Sequence, residues 1–314
     1  MKQQEYCYEG KRLKSERNRY YTQSIENLTE AMDSGAIIEG ISYLCDNDKH
    51  LRVKVGDFNC VIPKNQCIYT PDGLPEKDIA IISRVGKPVC FKIIGIDRDE
   101  QGNPTIIGSR RDAQRDCMRE YVSRLQMGDV IQAKITRLDP FGAFCDIGCG
   151  IISLLPIDCM SVSRISHPRD RFRNGQVIKA VVKNTADEFG RITLTHRELL
   201  GTWEENAAKF SSGQTAAGIV RSIEDYGVFI ELAPNLAGLA ECRDDIEVGQ
   251  NAAVFIKNII PDRMKVKLAI IDCSDREISI PDYNYPEIDH LDHWRYSPEN
   301  CDKVIESFFN PASE

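Results

Sequence analysis

The sequence has no apolar run approaching the ~18 consecutive residues a membrane span needs. Its opening, MKQQEYCYEG, lacks the apolar core of a secretory signal. The expectation is a cytoplasmic chain with no membrane partner. The twelve cysteines contain no CxxC pair. Cys145 and Cys149 are four apart but have no second Cys/His pair at zinc-like spacing, and a reducing cytosol disfavours a disulfide framework. Cys145 and Cys90, in strand-like stretches, read as small core residues. None of the five histidines, His50, His167, His196, His290 and His293, sits in a nucleophile elbow or an HExxH frame. Asp289, His290, Asp292 and His293 read as part of an acidic tail rather than a metal cluster. Gly148 and Gly150 follow a strand but open another strand, which makes a hairpin turn and not a phosphate loop. No enzyme, cofactor or metal is expected.

What the chain does have is length for two or three domains, at 314 residues, and an uneven charge. The net charge of −8 argues against a nucleic-acid binder only until it is mapped. Residues 128–200 hold ten Lys/Arg against eight Asp/Glu, a net of +2, whereas residues 274–314 hold three against ten, a net of −7. Acidity is concentrated in the tail.

Three segments share one pattern. In the middle copy, GDVIQAKITRL alternates Ile131, Ala133 and Ile135 with Gln132, Lys134 and Thr136, the period of a half-buried strand. FGAFCDIG sets Ala143, Cys145 and Ile147 on one face and Phe144 and Asp146 on the other. GIISLLP, VIKAVVK and RITLTHREL supply three more strands, with a polar loop from about Asp158 to Asn174. VIKAVVK turns Ile178, Ala180 and Val182 inward and Lys179 and Lys183 outward. Five short strands in this span predict a closed or nearly closed barrel. TAAGIVRSI, YGVFIEL, AGLAE, NAAVFIK and MKVKLAI repeat the order in a third copy. IIEGISYL, HLRVKVGD, CVIP, PVCFKIIGID and TIIGSRR lay on it more loosely in a first. The connectors read as helices: SRRDAQRDCMREYVSRLQ as a solvated one laced with ion pairs, and HRELLGTWEENAAKF with Trp203 and Phe210 free to dock on a barrel.

With its order GDVIQAKITRLDPFGAFCDIG, SLLP, HP, GQVIKAVV and GRITLTHREL, the middle copy resembles the S1 RNA-binding domain. The likeness runs through GTWEENAAKF into VRSIEDYGVFIELAPNLAGLAE, and there resembles multi-repeat proteins of the ribosomal protein S1 family. It implies an all-β chain of tandem five-stranded OB-fold (S1-type) barrels joined by short helices, with single-stranded RNA, including mRNA, as ligand. The divisions expected are an N-terminal helical extension at 1–34, a degenerate barrel at 35–113, a helical linker at 114–127, an RNA-binding barrel at 128–200, a second linker at 201–212, a further barrel at 213–273 and an acidic tail at 274–314.

Carried onto the middle copy, the family's RNA face falls on the aromatics Phe141 and Phe144, with Asp187 and Arg191 near the fifth strand. Pro156 replaces the family's usual histidine. Unpaired bases stack on exposed aromatic rings, and Gly142 permits the twist that two aromatics three apart need to share a face. The alternative for either ring is a place in the core. Lys134, Lys179 and Lys183 point outward and are candidates to track phosphates, and Arg169 and Arg171 stand in the polar loop with Arg164, His167 and Arg173. In the third copy the aromatics are Tyr226 and Phe229, with Asp262 as the acidic partner, Lys265 and Lys267 on the basic edge beside Lys257 and Arg263, and Glu241 at the histidine position. Its net charge of −3, six basic against nine acidic residues over 213–273, predicts weaker binding. In the first copy Lys49 and Arg52 hold the aromatic positions and Pro63 the histidine position, so stacking is lost and a protein contact on the small ribosomal subunit is the candidate role. The functional expectation is ribosome-associated mRNA binding that assists translation. The alternatives are an RNA-binding or protein-contact regulator off the ribosome, and an array accessory to an enzyme, for whose catalytic domain the chain has no room.

Overall fold

The computed structural model describes residues 5–70, 77–98, 102–185, 187, 191–275 and 282–310. Two short helices, α1 (Glu16–Tyr21) and α2 (Ile25–Asp33), come first. Their start points are chemical: Ser15 and Ser24 accept the backbone N–H of Asn18 and Asn27 and so satisfy amides the first turn leaves free.

Three closed barrels follow, all with one topology. The first comprises β1 (Ile37–Cys45), β2 (Leu51–Val55), β3 (Phe58–Ile62), β4 (Pro88–Arg98) and β5 (Pro104–Ser109), with a short helix, α3 (Asp78–Ile82), before β4. The helix α4 (Arg110–Glu120) leads to the second: β6 (Val130–Asp139), β7 (Gly142–Gly148), β8 (Ile151–Pro156), β9 (Val177–Asn184) and β10 (Thr193–Thr195). After α5 (Trp203–Ala207) the third is made of β11 (Thr215–Glu224), β12 (Gly227–Ala233), β13 (Leu236–Ala240), β14 (Asn251–Ile260) and β15 (Lys265–Ser274). In each, the third and fifth strands pair in parallel and so close the sheet. Closure removes the exposed edges that an open sheet of this size would carry. The alternation read from the sequence is the burial observed: Ile131, Ala133, Ile135, Ala143, Cys145, Ile147, Ile178, Ala180, Val182, Ile192 and Leu194 are all buried. In the linker helix, Arg115 pairs with Asp112, Arg119 with Asp116 and Glu120, and Arg124 with Glu120, which is the ion-pair-laced surface expected of it.

By contacts the chain forms two compact units. One contains Met1–Leu125, Asp146–Ser153 and Ala186–Arg191. Its core gathers Ile38, Leu51, Val53, Ile62, Phe91 and Ile106 inside the first barrel, with Leu28 of α2 packed against them. Beside that core Glu9 is buried, its carboxylate bonded by Arg110 at 2.7 Å and by the Cys90 N–H at 3.2 Å. Burial alone would raise the Glu9 carboxyl, but the Arg110 guanidinium outweighs it and the group is held low. The Glu9 N–H in turn donates to Asp146 at 2.8 Å. Asp146 also accepts the N–H groups of Gly148 and Gly150. The sequence places Asp146 on the outward face of its strand, yet it is buried, because this N-terminal segment covers it. Burial, and then the Glu9 charge, push its carboxyl up to about 7.

The second unit holds Gln126–Cys145, Leu154–Thr185 and Ile192–Glu314. Here the core of the third barrel, Val220, Val228, Ile230, Val254, Ile256 and Leu268, is joined by Trp203 of α5 and by Trp294 and Tyr296 of the tail, with Phe210 packed alongside. Over 282–290 the tail carries neither helix nor strand, as PDYNYPEIDH reads in the sequence, and over 282–310 it serves as a structural strap. It forms the hairpin β16 (His293–Arg295) and β17 (Glu306–Phe308), and Leu291 and Asp289 exchange backbone bonds with Gly128 and Val130. Tyr283 and Tyr285 stack at 5.8 Å and both meet His196 edge-on.

His196 is fully buried, with Nδ1 3.0 Å from the Met160 carbonyl and Nε2 2.9 Å from the Tyr285 hydroxyl. The carbonyl requires a proton on Nδ1, so the Tyr285 O–H donates to Nε2 and the ring is neutral. Burial lowers its pKa to about 4, against 6.5 for a free side chain. A folded value below the unfolded one contributes stability that is complete above about pH 6.5 and lost as pH falls through about 4. That contribution should fade between those values while the raised Asp146 carboxyl acts in the opposite sense, so the thermal midpoint of a His196→Asn chain should fall less, or rise more, than that of the wild type from pH 6.5 to 4 when melting is followed by circular dichroism.

Candidate nucleic-acid interface

The turn between β6 and β7 delivers the two middle-barrel aromatics. Phe141 is 55% exposed and Phe144 is half-buried, so neither belongs to the core. Their ring centroids lie 5.9 Å apart at 89°. Gly142 is required between them for a reason other than twist alone: a β-carbon there would sit 2.6 Å from the Leu155 carbonyl oxygen. The third barrel repeats the arrangement. Tyr226 is 70% exposed, Phe229 is half-buried, and the rings meet at 6.1 Å and 89°. Gly227 lies between them, its φ of 153° and its approach to the Ala240 carbonyl both excluding a side chain. Two edge-to-face pairs thus stand in the second unit, each with one ring open to solvent.

The basic candidates divide. Lys134 and Lys179 are half-buried on the outward faces of β6 and β9, and the Lys179 ammonium donates to the Pro286 carbonyl of the tail at 3.1 Å. Lys183 is half-buried and donates to the Cys159 sulfur at 3.2 Å. Arg169 is exposed. On β15, Lys265 and Lys267 are exposed and alternate with buried Val266 and Leu268. Asp262 is exposed in the turn before them, and Lys257 is tied to Glu241 at 2.8 Å. Asp187 and Arg191 are brought to each other, the carboxylate accepting the Arg191 backbone N–H at 2.9 Å and its Nε at 2.8 Å. They belong to the first unit and the aromatics to the second.

Arg171 is a correction. Expected in the loop as a phosphate contact, it is fully buried. Its guanidinium bonds both Glu231 oxygens, at 3.0 and 2.6 Å, and the Ser161 hydroxyl at 3.0 Å. Glu231 is shared with Arg221, which also holds Asp170 at 3.0 Å. Every polar group on Arg171 is thereby directed into the protein, and none is left for a ligand. In the first barrel, Arg52, at the position of the second aromatic, is held by Asp46 at 3.0 Å, so its charge is met locally.

One residue escaped the sequence reading. Arg137 on β6 lies over the Phe144 ring, 4.7 Å from its centroid. Counting back across the β6–β7 hairpin would have found it, because the third barrel pairs Ser222 with Phe229 at the matching position.

Comparison with known proteins follows the same outline. Residues 124–197 match the model of the S1 RNA binding domain. The chain is 28% identical over 205 residues to the small ribosomal subunit protein bS1 homolog of Bacillus cereus, covering 62% of this chain and 51% of that protein. It is 28% identical over 196 residues to the homolog of Bacillus subtilis, covering 61% and 50%. Against bS1 of Rhodopseudomonas palustris the identity is 32% over 183 residues, covering 57% and 31%. The chain carries three closed five-stranded barrels in tandem, and the middle one matches the S1 RNA binding domain. Within that class its likeness is to the bS1 family, and it spans about half the length of the Bacillus relatives.

The burial of Arg171 has a measurable outcome. Arg171→Met should lower the stability of the chain by about 3 kcal/mol, since removing one partner leaves a buried carboxylate under-compensated. Arg169→Met, at an exposed site, should change it by no more than about 0.5 kcal/mol. Urea denaturation of the two variants checks both.

Proposed function

We propose that this chain binds single-stranded RNA, mRNA among it, through its tandem S1 barrels and does so in association with the small ribosomal subunit, assisting translation. The observation that carries this reading is the doubled aromatic pair, Phe141 with Phe144 and Tyr226 with Phe229, in near-identical geometry on two barrels. An exposed ring on a rigid hairpin offers a base a stacking surface worth ~1–3 kcal/mol per base whatever its sequence. The exposed Lys265 and Lys267 and the outward-facing Lys134 supply charge for the backbone. The relatives' identity as ribosomal S1 proteins supports the setting. The role is one of binding, without catalysis, and its place is the cytoplasm.

The first barrel takes a different part. With Lys49 and Arg52 at the aromatic positions it has no stacking pair, while Ile41, Tyr43 and Leu44 on β1 and Ile94 on the neighbouring β4 are exposed. Exposed apolar side chains on a barrel that lacks stacking rings fit a contact with protein, and in this reading that contact is with the small subunit.

Two measurements test the proposal on the full chain. Phe141→Ala/Phe144→Ala should weaken binding of a labelled single-stranded oligoribonucleotide by at least about tenfold in fluorescence anisotropy; undiminished affinity removes the site assignment. In sucrose gradients the chain should sediment with small ribosomal subunits, and recovery solely in the ribosome-free fractions overturns the ribosomal setting.

A further inference from the structure

Arg137 is neither a core residue nor part of a buried network. Its side chain is 64% exposed, its guanidinium pairs with Asp139, and the guanidinium carbon stands over Phe144, 4.7 Å from the ring centre. The ring it covers is one of the two on which the RNA reading relies. A base stacking on that face of Phe144 and the guanidinium cannot occupy it together. An exposed cation–π contact is weaker than base stacking on the same ring, so an arriving base displaces the guanidinium. The displaced arm remains tethered beside the nucleotide that displaced it. It is a planar, permanently charged fork whose geometry matches a phosphate.

We propose that Arg137 is an RNA-contacting residue of the middle barrel. It shields Phe144 in the free protein, partly neutralised by Asp139, and on binding transfers from the ring to the phosphate of the nucleotide whose base has taken its place. The proposal rests on the RNA-binding reading above and adds to it the residue that couples stacking to charge. It also separates the two aromatic barrels. The residue seven positions before the second aromatic is Arg137 in the middle barrel and Ser222 in the third, where it is the direct cross-strand partner of Phe229. The third barrel has the rings without the arm.

The test is a pair of reciprocal exchanges in the full chain, Arg137→Ser and Ser222→Arg, each titrated with labelled oligouridylate across a salt series. Because Arg137 is exposed, Arg137→Ser should keep the wild-type melting temperature. Its affinity should fall about three- to tenfold, and the slope of log affinity against log salt should shrink by about 0.7, the signature of one lost phosphate contact on a single strand. Ser222→Arg should raise both affinity and slope. Wild-type affinity and slope in Arg137→Ser, beside a weakened Phe141→Ala/Phe144→Ala, overturn this proposal and leave the stacking site standing. Tighter binding by Arg137→Ser, as an arm that only blocks the ring would give, overturns it as well. An unaltered slope in Ser222→Arg removes the role assigned to this strand position. Absence of binding by the wild type removes the RNA reading and the proposal with it.

Discussion

The second unit is organised around a buried charge that has only one way to be satisfied. Glu231 lies within the protein with both oxygens taken by Arg171 and both again approached by Arg221, while Arg221 reaches Asp170. Removing such charges from water is costly, and the cost is offset only when every group finds its partner in good geometry. That demand fixes the long loop of the middle barrel, which carries Asp170 and Arg171, against strands β11 and β12 of the third. Asn235 reinforces the arrangement. Its side chain accepts the Val162 N–H and donates to the carbonyls of Arg197 and Gly201. A hydrophobic contact would tolerate sliding, but this lattice of directed bonds does not. Two barrels that look like beads on a string in sequence are held in one register.

The parts of this structure legible in the sequence are those that depend on neighbours a few residues away. Alternation of apolar and polar residues marked the strands, and the repeated order of five marked three barrels. The placing of Phe144 out of phase with Ala143 and Cys145 separated an exposed ring from a core one. Arg171 was not legible, because a loop rich in arginine reads as solvated and its partner Glu231 lies sixty residues on. Nothing local distinguishes the arginine that turns inward from Arg169, which does not. The fold of the tail was not legible for the same reason. Its sequence shows acidity, but Tyr283, Tyr285, Trp294 and Tyr296 act by packing on surfaces far off in the chain.

The three barrels show how one scaffold diverges at constant topology. The second-strand hairpin carries Phe141 and Phe144 in the middle copy and Tyr226 and Phe229 in the third, with the same edge-to-face angle. In the first, Arg52 has turned to Asp46 and the exposed apolar surface lies on β1 and β4 instead. None of these changes touches the inward positions that close the barrel. Burial constrains one face of each strand, and the other face is free to change its chemistry.

Tandem repeats invite the view that each copy is an independent piece, to be excised, shuffled or duplicated at its boundaries. The contact between Glu9 and Asp146 denies that here. The hairpin of the middle barrel that contains Asp146 belongs to the compact unit of the N-terminal residues, and its carboxylate is bonded to a backbone amide 137 residues earlier. A cut placed at the apparent border between the first two barrels would expose this carboxylate to water and leave the Glu9–Arg110 pair partly uncovered. The structural unit of this protein is therefore longer than its repeat, and its extra length is set by a side chain that the repeat pattern does not reveal.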